Sequence, residues 1–311
     1  IPTTRSLAAI TTGEKVVRER LLPGAILVRI ANSHIRVGTF QYFAARQMTK
    51  EIKILADYII ERHFELSLSS KNIYEKFLME IIKSQANLIS KWMSAGFIHG
   101  VMNTDNTCLT GETIDYGPCA FLDNFDYNKV FSSIDYQGRY SYKNQPNIIL
   151  WNLTRFAETI LPLIDNNLNK SIKKAEEILN EFASIYESNW ISIMGQKLGI
   201  DDTKNTDKNL IEEFLNLMQN QQLDFTNSFY SLSFLIEKDQ IEKEGPPKSH
   251  RIYSKIKSSD WYAKWTKRLN INKKNLKKIL KTLLINNPSV IPRNHIVEKV
   301  LNDAIYENKK D

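Results

Sequence analysis

Beyond residue 50 the apolar side chains recur at three- and four-residue spacing, stretch after stretch, almost to the end of the chain. That spacing puts them on one face of a helix. It predicts helices over residues 50–64, 73–95, 148–167, 171–190, 209–219 and 227–236, then over 261–265, 272–284 and 292–306. Each must bury its apolar face against others, so the chain is committed to a largely helical packed body. The sharpest interruption is residues 97–126, which hold HGVMNTDNTCLTGETIDYGPCAFLDNFD. Short apolar pieces alternate there with turn formers, which reads as loop, short hairpin, loop. Asn144-Gln145-Pro146 marks a second break, and residues 238–260, with Gly245-Pro246-Pro247, read as an exposed linker.

The first forty-odd residues differ. Residues 15–19 and 24–30 are predicted strands joined by a turn at Leu22-Pro23-Gly24. Thr39 is a suitable N-cap for a helix whose apolar face begins with Phe40, Phe43 and Ala44. The class is therefore α+β, mostly α.

Composition excludes several alternatives. At 42% hydrophobic and 25% charged residues the chain is globular rather than disordered. No run approaches the length of a membrane span, and the opening IPTTRSLAAITTGEK lacks the order of a secretory signal. Cys108 and Cys119 are too few for a disulfide scaffold or a four-thiolate zinc site, so packing or loop roles in a reducing, cytoplasmic setting are expected. The net charge is +7, and eight Lys/Arg with no acid fall between Lys264 and Lys281. Leu276, Ile279, Leu280, Leu283 and Leu284 recur through and just after that run, so an amphipathic helix with a solvated basic face is expected rather than a nucleic-acid surface.

Five residues carry chemistry. Asp105 and Asn106 are adjacent in a loop, Asp115 follows just before Tyr116-Gly117, and Arg29 and Arg36 flank the Asn32-Ser33-His34 turn. Mg²⁺ takes oxygen ligands, commonly one or two from protein with phosphate and water completing the set. Asn106 and Asp115 can supply them. Asp105 can accept the proton of an attacking hydroxyl, and Arg29 and Arg36 can hold phosphate oxygens bidentately. Together they form the parts of a kinase-type site, with His99-Gly100 ahead of the loop. On spacing alone the competing reading stands: the Asp-Asn pair closes a turn and the arginines make surface ion pairs.

The segments IPTTRSLAAITT, GAILVRIANSHIRVGTFQYFAAR, HGVMNTDN, TIDYGPCAFLDNFD, QPNIILWNLTRFAETILPLI and NPSVIPRNHIVEKVL resemble, in order, the selenoprotein O (YdiU) family. The resemblance implies a protein-kinase-like fold with an incomplete N-terminal lobe (residues 1–45) and a large helical C-terminal lobe (residues 46–311). It implies an adenylyltransferase that moves AMP from ATP to Ser, Thr or Tyr hydroxyls of proteins, using Mg²⁺ or Mn²⁺, with the nucleotide flipped relative to kinases. By residue match Asp105 resembles the family's proton acceptor. Asn106 and Asp115 resemble its metal ligands, Asp115 also contacting ATP, and Arg29 and Arg36 its phosphate contacts. Ordinary kinases place the base about five residues before the metal-binding Asn; here the two are adjacent.

The resemblance further implies an upstream Gly-rich loop, lysine and glutamate, and a downstream tail with a redox-active Cys or selenocysteine. The chain is expected to be truncated at both ends and, by itself, weakly active or inactive. Phosphoryl transfer and a catalytically dead remnant or binding module are the alternatives. No membrane partner is expected. His34 and His99 are expected to make loop hydrogen bonds, Tyr116 and Pro118 to shape the loop, and Asp123 and Asp126 to be solvated or to cap helices. Trp151, Trp190, Trp261 and Trp265 are expected to be buried or semi-buried anchors. Asn152 and Arg155 are placed to brace the catalytic loop, which the sequence leaves open.

Overall fold

The computed structural model describes residues 1–18, 20–240 and 250–306. The predicted linker's Gly245-Pro246-Pro247 lies outside them. The chain divides into two compact units, one comprising Ile1–Leu88, Met102–Asp115 and Ile149–Phe182, the other Ile89–Val101, Tyr116–Ile148 and Ala183–Asp311.

The first unit opens with an antiparallel ribbon, β1 (Arg5–Val17) and β2 (Leu21–Ile30), in register from Arg5↔Ile30 to Val17↔Leu21. The first strand thus starts ten residues before the predicted one, and the reversal lies after Val17 rather than at Leu22-Pro23-Gly24. Pro23 sits within β2 opposite Lys15, which a two-stranded ribbon tolerates because every strand is an edge. The register shifts between Thr11 and Lys15, around Gly13 at φ +78°, where glycine supplies the left-handed conformation of a bulge. Leu7, Ile10, Val17, Leu21 and Ile26 on the ribbon are exposed.

Helices α1 (Val37–Ala44), α2 (Thr49–His63) and the first part of α3 (Ile73–Ala95) follow. The N-cap of α1 is Arg36, not Thr39. Thr39 lies inside the first turn, where its Oγ1 accepts the Arg36 backbone N–H at 3.2 Å. This is the reverse half of a capping box, the half available when the cap side chain is a guanidinium that cannot accept. Phe40 and Phe77 meet Phe156 of α4 (Gln145–Ile164) edge to face, at 5.0 and 5.8 Å between centroids, and form the core of this unit with Ile59 and Ile60. Pro146 begins α4 instead of breaking the chain, as proline does in a first helical turn.

In the second unit a minimal hairpin pairs β3 (Phe97–Ile98) with β4 (Ala120–Phe121). Helices α5 (Leu168–Lys197, its last part), α6 (Asp207–Gln221), α7 (Phe225–Gln240), α8 (His250–Lys257), α9 (Asp260–Leu269), α10 (Leu276–Asn286) and α11 (Asn294–Tyr306) follow. Helix α8 corrects the reading of residues 250–257 as linker. Its one fully buried residue among those described, Ile256, anchors the helix. Trp261 stacks on Phe214 at 4.1 Å, and Trp261 and Trp265 donate their indole N–H groups to the carbonyls of Leu210 and Leu198, each at 2.8 Å. Trp151 departs from expectation: it is 41% exposed, with the Arg155 guanidinium 5.4 Å above its ring. In the basic stretch Ile279 and Leu283 are buried, while Lys264 pairs with Glu213, Arg268 with Asp207 and Lys278 with Asp201. The basic stretch spans two helices rather than one, α9 and α10, each burying an apolar face and keeping its basic side solvated and partly neutralised. Among the described residues no helix is long and apolar enough to cross a membrane.

Candidate functional site

The chain leaving β2 runs antiparallel beside residues 107–112. Asn32 N donates to Glu112 Oε2 at 2.8 Å, Leu109 N to the Ile35 carbonyl at 3.1 Å, and Val37 N to the Thr107 carbonyl at 3.0 Å. Arg36 and Cys108 form the β-bridge between them. This pairing brings Arg36 and the start of α1 against the turn that carries Asp105 and Asn106. The approach is close: a Cβ on Gly38 would stand 2.0 Å from Asp105 Oδ1. Glycine in the first turn of α1 therefore makes room for the carboxylate. No acid lies in the helix's own first turn, so Asp105 is the negative charge its N-terminus meets.

Asp105 and Asn106 sit in a 3-10 turn, Thr104–Asn106, closed by Asn106 N donating to the Asn103 carbonyl at 3.1 Å. With three residues per turn, adjacent side chains diverge by about 120°, so the Asp105 carboxylate and the Asn106 amide point in different directions. Asp105 is exposed and Asn106 half-buried. Among the described residues no hydrogen bond or ion pair engages the Asp105 carboxylate.

A turn at Cys108–Gly111, with Gly111 N donating to the Cys108 carbonyl at 3.1 Å, reverses the chain between Asn106 and Asp115. It rests on α3. Gln85 Nε2 donates to the Cys108 carbonyl at 2.6 Å, and a Cβ on Gly111 (φ +72°) would come within 2.9 Å of the Ser84 carbonyl. The returning strand is held by Thr113, which exchanges backbone bonds with Pro2 and Thr4 at 3.1 Å. Asp115, two residues on, is exposed at φ +63°, a left-handed conformation that aspartate adopts more readily than most residues. Arg29 stands on β2 of the same N-terminal ribbon, opposite Ser6 of β1, and is exposed. Backbone pairing thus brings Arg36, Asp105 and Asn106 together directly, while Asp115 and Arg29 connect through the ribbon.

Arg36 is half-buried, and its Nε is buried with no hydrogen-bond partner among the described residues. A buried guanidinium donor left unpaired is costly and calls for an acceptor. Cys108 is buried, and desolvation, aided by the nearby Glu112 carboxylate and opposed by Arg36, pushes its thiol up to about 11. It is a packing thiol, not a nucleophile. Among the described residues no three His, Cys, Asp or Glu side chains gather to hold a metal. The expected donor set is of another kind, the amide oxygen of Asn106 and the carboxylate of Asp115.

The flanking residues sort themselves out. Asn152 braces the loop, bonding to both Met102 and Thr107, whereas Arg155 pairs within its own helix with Glu158. In the second unit His99 is fully buried, stacked on Trp92 at 5.2 Å, and its Nδ1 accepts the Val101 N–H at 3.3 Å. His34 is exposed and has no side-chain partner among the described residues, so the loop hydrogen bond expected of it is not there. Pro118 packs on Gly100, whose Cβ would stand 3.0 Å from the proline ring. Asp123 is solvated, as expected, and exposed beside Arg293, which joins it to Asp224; Asp224 caps α7 through the Asn227 N–H at 2.7 Å. Asp126 closes a turn by accepting the Asn128 N–H at 2.9 Å. The sequence reading did not single out Gly38, Gln85 or Thr107. No signal marked Gly38, because with Thr39 read as the N-cap it fell ahead of the predicted helix.

Compared with known proteins, the chain matches, over residues 1–311, the family described as protein adenylyltransferase SelO. It is 50% identical over 304 residues to the protein nucleotidyltransferase YdiU of Clostridium perfringens (strain ATCC 13124). It is 48% identical over 307 residues to that of Clostridium botulinum (strain 657) and 48% over 305 residues to that of Bacillus cereus (strain ATCC 14579). These matches cover 98–99% of this chain and 60% of each relative, so the chain spans about three fifths of the length of these curated relatives.

Proposed function

The chain belongs to the SelO family of protein adenylyltransferases, and from that premise we propose that its site transfers AMP from ATP to a hydroxyl of a Ser, Thr or Tyr side chain on a protein. The kinase-like arrangement is part of the same proposal. Asp105 takes the hydroxyl proton as the oxygen forms its bond to the α-phosphorus. The bond from that phosphorus to the bridging oxygen breaks, and pyrophosphate leaves with the electron pair. Arg36 and Arg29 hold phosphate oxygens. Asn106 and Asp115 would hold Mg²⁺, or Mn²⁺ in its place, and both offer the hard oxygen donors such an ion takes. The ion, when bound, offsets negative charge on the phosphates.

The observation that carries this reading is the unpaired, buried Nε of Arg36 beside the Asp105 turn. A phosphate oxygen is the acceptor that would satisfy it, and guanidinium–phosphate bonds are among the stronger hydrogen bonds in proteins. Incubation of the chain with α-labelled or γ-labelled ATP, Mg²⁺ and a protein acceptor tests the reaction. Label retained on protein from the α position alone supports adenylyl transfer. Retention from the γ position alone would establish phosphoryl transfer instead.

Gly38→Ala gives a second expected result. The added methyl group displaces the end of the Asp105 side chain, which can swing aside, and alanine favours the helix by up to about 1 kcal/mol. The melting temperature should hold or rise slightly, while α-label transfer drops by about tenfold or more because the base has moved. A variant with unchanged transfer would show that Asp105 does not act from the position it holds against α1.

A further inference from the structure

We infer that Asn152 is the positioning residue of the Asp105–Asn106 turn, an inference that rests on the reading above and deepens it. Asn152 lies on α4 with no exposed surface. Its Nδ2 donates in two directions, to the Met102 carbonyl at 3.0 Å and to Thr107 Oγ1 at 2.8 Å. These two partners stand on either side of the loop that bears Asp105 and Asn106. Thr107 Oγ1 in turn donates to the Asn103 carbonyl at 3.1 Å, the same carbonyl that receives the Asn106 N–H. The Thr107 backbone carbonyl takes the Val37 N–H at 3.0 Å and so ties the loop to the segment of Arg36. One amide group thus closes the base of the loop, and its closure reaches Asn106 through one hydroxyl and one carbonyl.

The other end of Asn152 argues against a purely space-filling role. Its Oδ1 is buried and has no hydrogen-bond partner among the described residues. A leucine would fill a similar volume without burying that unpaired acceptor, so the amide is retained for what its two N–H groups hold. Asn152 has no part in binding nucleotide or metal in this reading; it acts through the turn.

Asn152→Leu and the pair Thr107→Val and Thr107→Ser test this on the whole chain, by amide hydrogen exchange and by α-label transfer. In Asn152→Leu the amides of Asn106 and Val37 should exchange at least about tenfold faster while those in the middle of α3 keep their rates. Transfer should lose about thirtyfold in kcat with KM for ATP within about threefold, the mark of a misplaced reacting group rather than lost binding. Thr107→Val should reproduce both effects, and Thr107→Ser, which keeps the hydroxyl, should restore parental behaviour. A folded Asn152→Leu with parental exchange at both amides and parental kcat overturns the inference. If Asn152→Leu does not fold, Thr107→Val is read by the same criteria. If the parent chain transfers no label, or Asp105→Asn transfers as well as the parent, the proposed function fails and the exchange rates alone decide on Asn152.

Discussion

Asp105→Asn is expected to slow α-label transfer by about 10²- to 10⁴-fold, the usual contribution of a positioned general base. At about 1.4 kcal/mol for each factor of ten, this raises the barrier by about 3–5 kcal/mol. Asparagine keeps the size and shape of aspartate but cannot take a proton. In the proposed reading Asn106, not Asp105, holds the ion, and the divergence of neighbouring side chains in the 3-10 turn is consistent with that division. Binding of Mg²⁺ and ATP should therefore stay close to parental in Asp105→Asn, as calorimetry can measure. Asn106→Ala should show the opposite division, with weakened metal dependence. Equal loss of metal binding in both variants would mean that the two side chains share the ion, and the assignment of Asp105 as base would be wrong. The fold should not suffer, since Asp105 is exposed and bears no hydrogen bond or ion pair among the described residues.

The helical body was legible because burial imposes its period on the sequence. Helix α3 carries Phe77, Leu78, Ile81, Ile82, Leu88 and Ile89 on one buried face, and its predicted ends match the observed ones. Strand β1 was half missed for the converse reason. Nearly every residue of the ribbon is exposed, so no alternation of buried and exposed positions marks where it begins. Helix α8 hid in a charged stretch because a single buried residue, Ile256, anchors it. For the site, residue types suggested the chemistry, but proximity did not follow from them. Arg36 meets the Asp105 turn through a β-bridge to Cys108, a pairing across about seventy residues that no local pattern announces. The resemblance to a known family grouped those residues before the geometry did. The unpaired Nε of Arg36 and the space kept by Gly38 are properties of packing and could be read only from the structure.

Lys197→Met is expected to stabilise the second unit, and by an amount that shrinks as pH rises. Lys197 ends α5 and is 5% exposed. Its Nζ lies 4.4 Å from the centre of the Phe229 ring and reaches the Asn286 carbonyl only at 3.5 Å. Burial lowers its pKa from the ordinary 10.5 to about 7. The aromatic face and the carbonyl end of α5 favour the ammonium and offset part of the desolvation, but burial prevails. Between those two pH values the unfolded chain binds the proton and the folded chain does not. Stability therefore rises with pH across that window, and below about pH 7 the folded state carries the full burden of a buried ammonium. At about 1.4 kcal/mol per pH unit the window spans at most about 5 kcal/mol. Methionine has a similar length and no charge, so it removes the cost of burying the ammonium and should stabilise by up to that bound of about 5 kcal/mol at the acid end. Urea unfolding of both proteins from pH 6.5 to 9.5 measures the difference, and differencing removes the titrations they share. The gain should be largest at the acid end and fall steadily toward the alkaline end. A constant difference across that range would mean that Lys197 keeps its proton in the fold, and a variant less stable throughout would mean that the ammonium's contacts with Phe229 and Asn286 outweigh the cost of burying it.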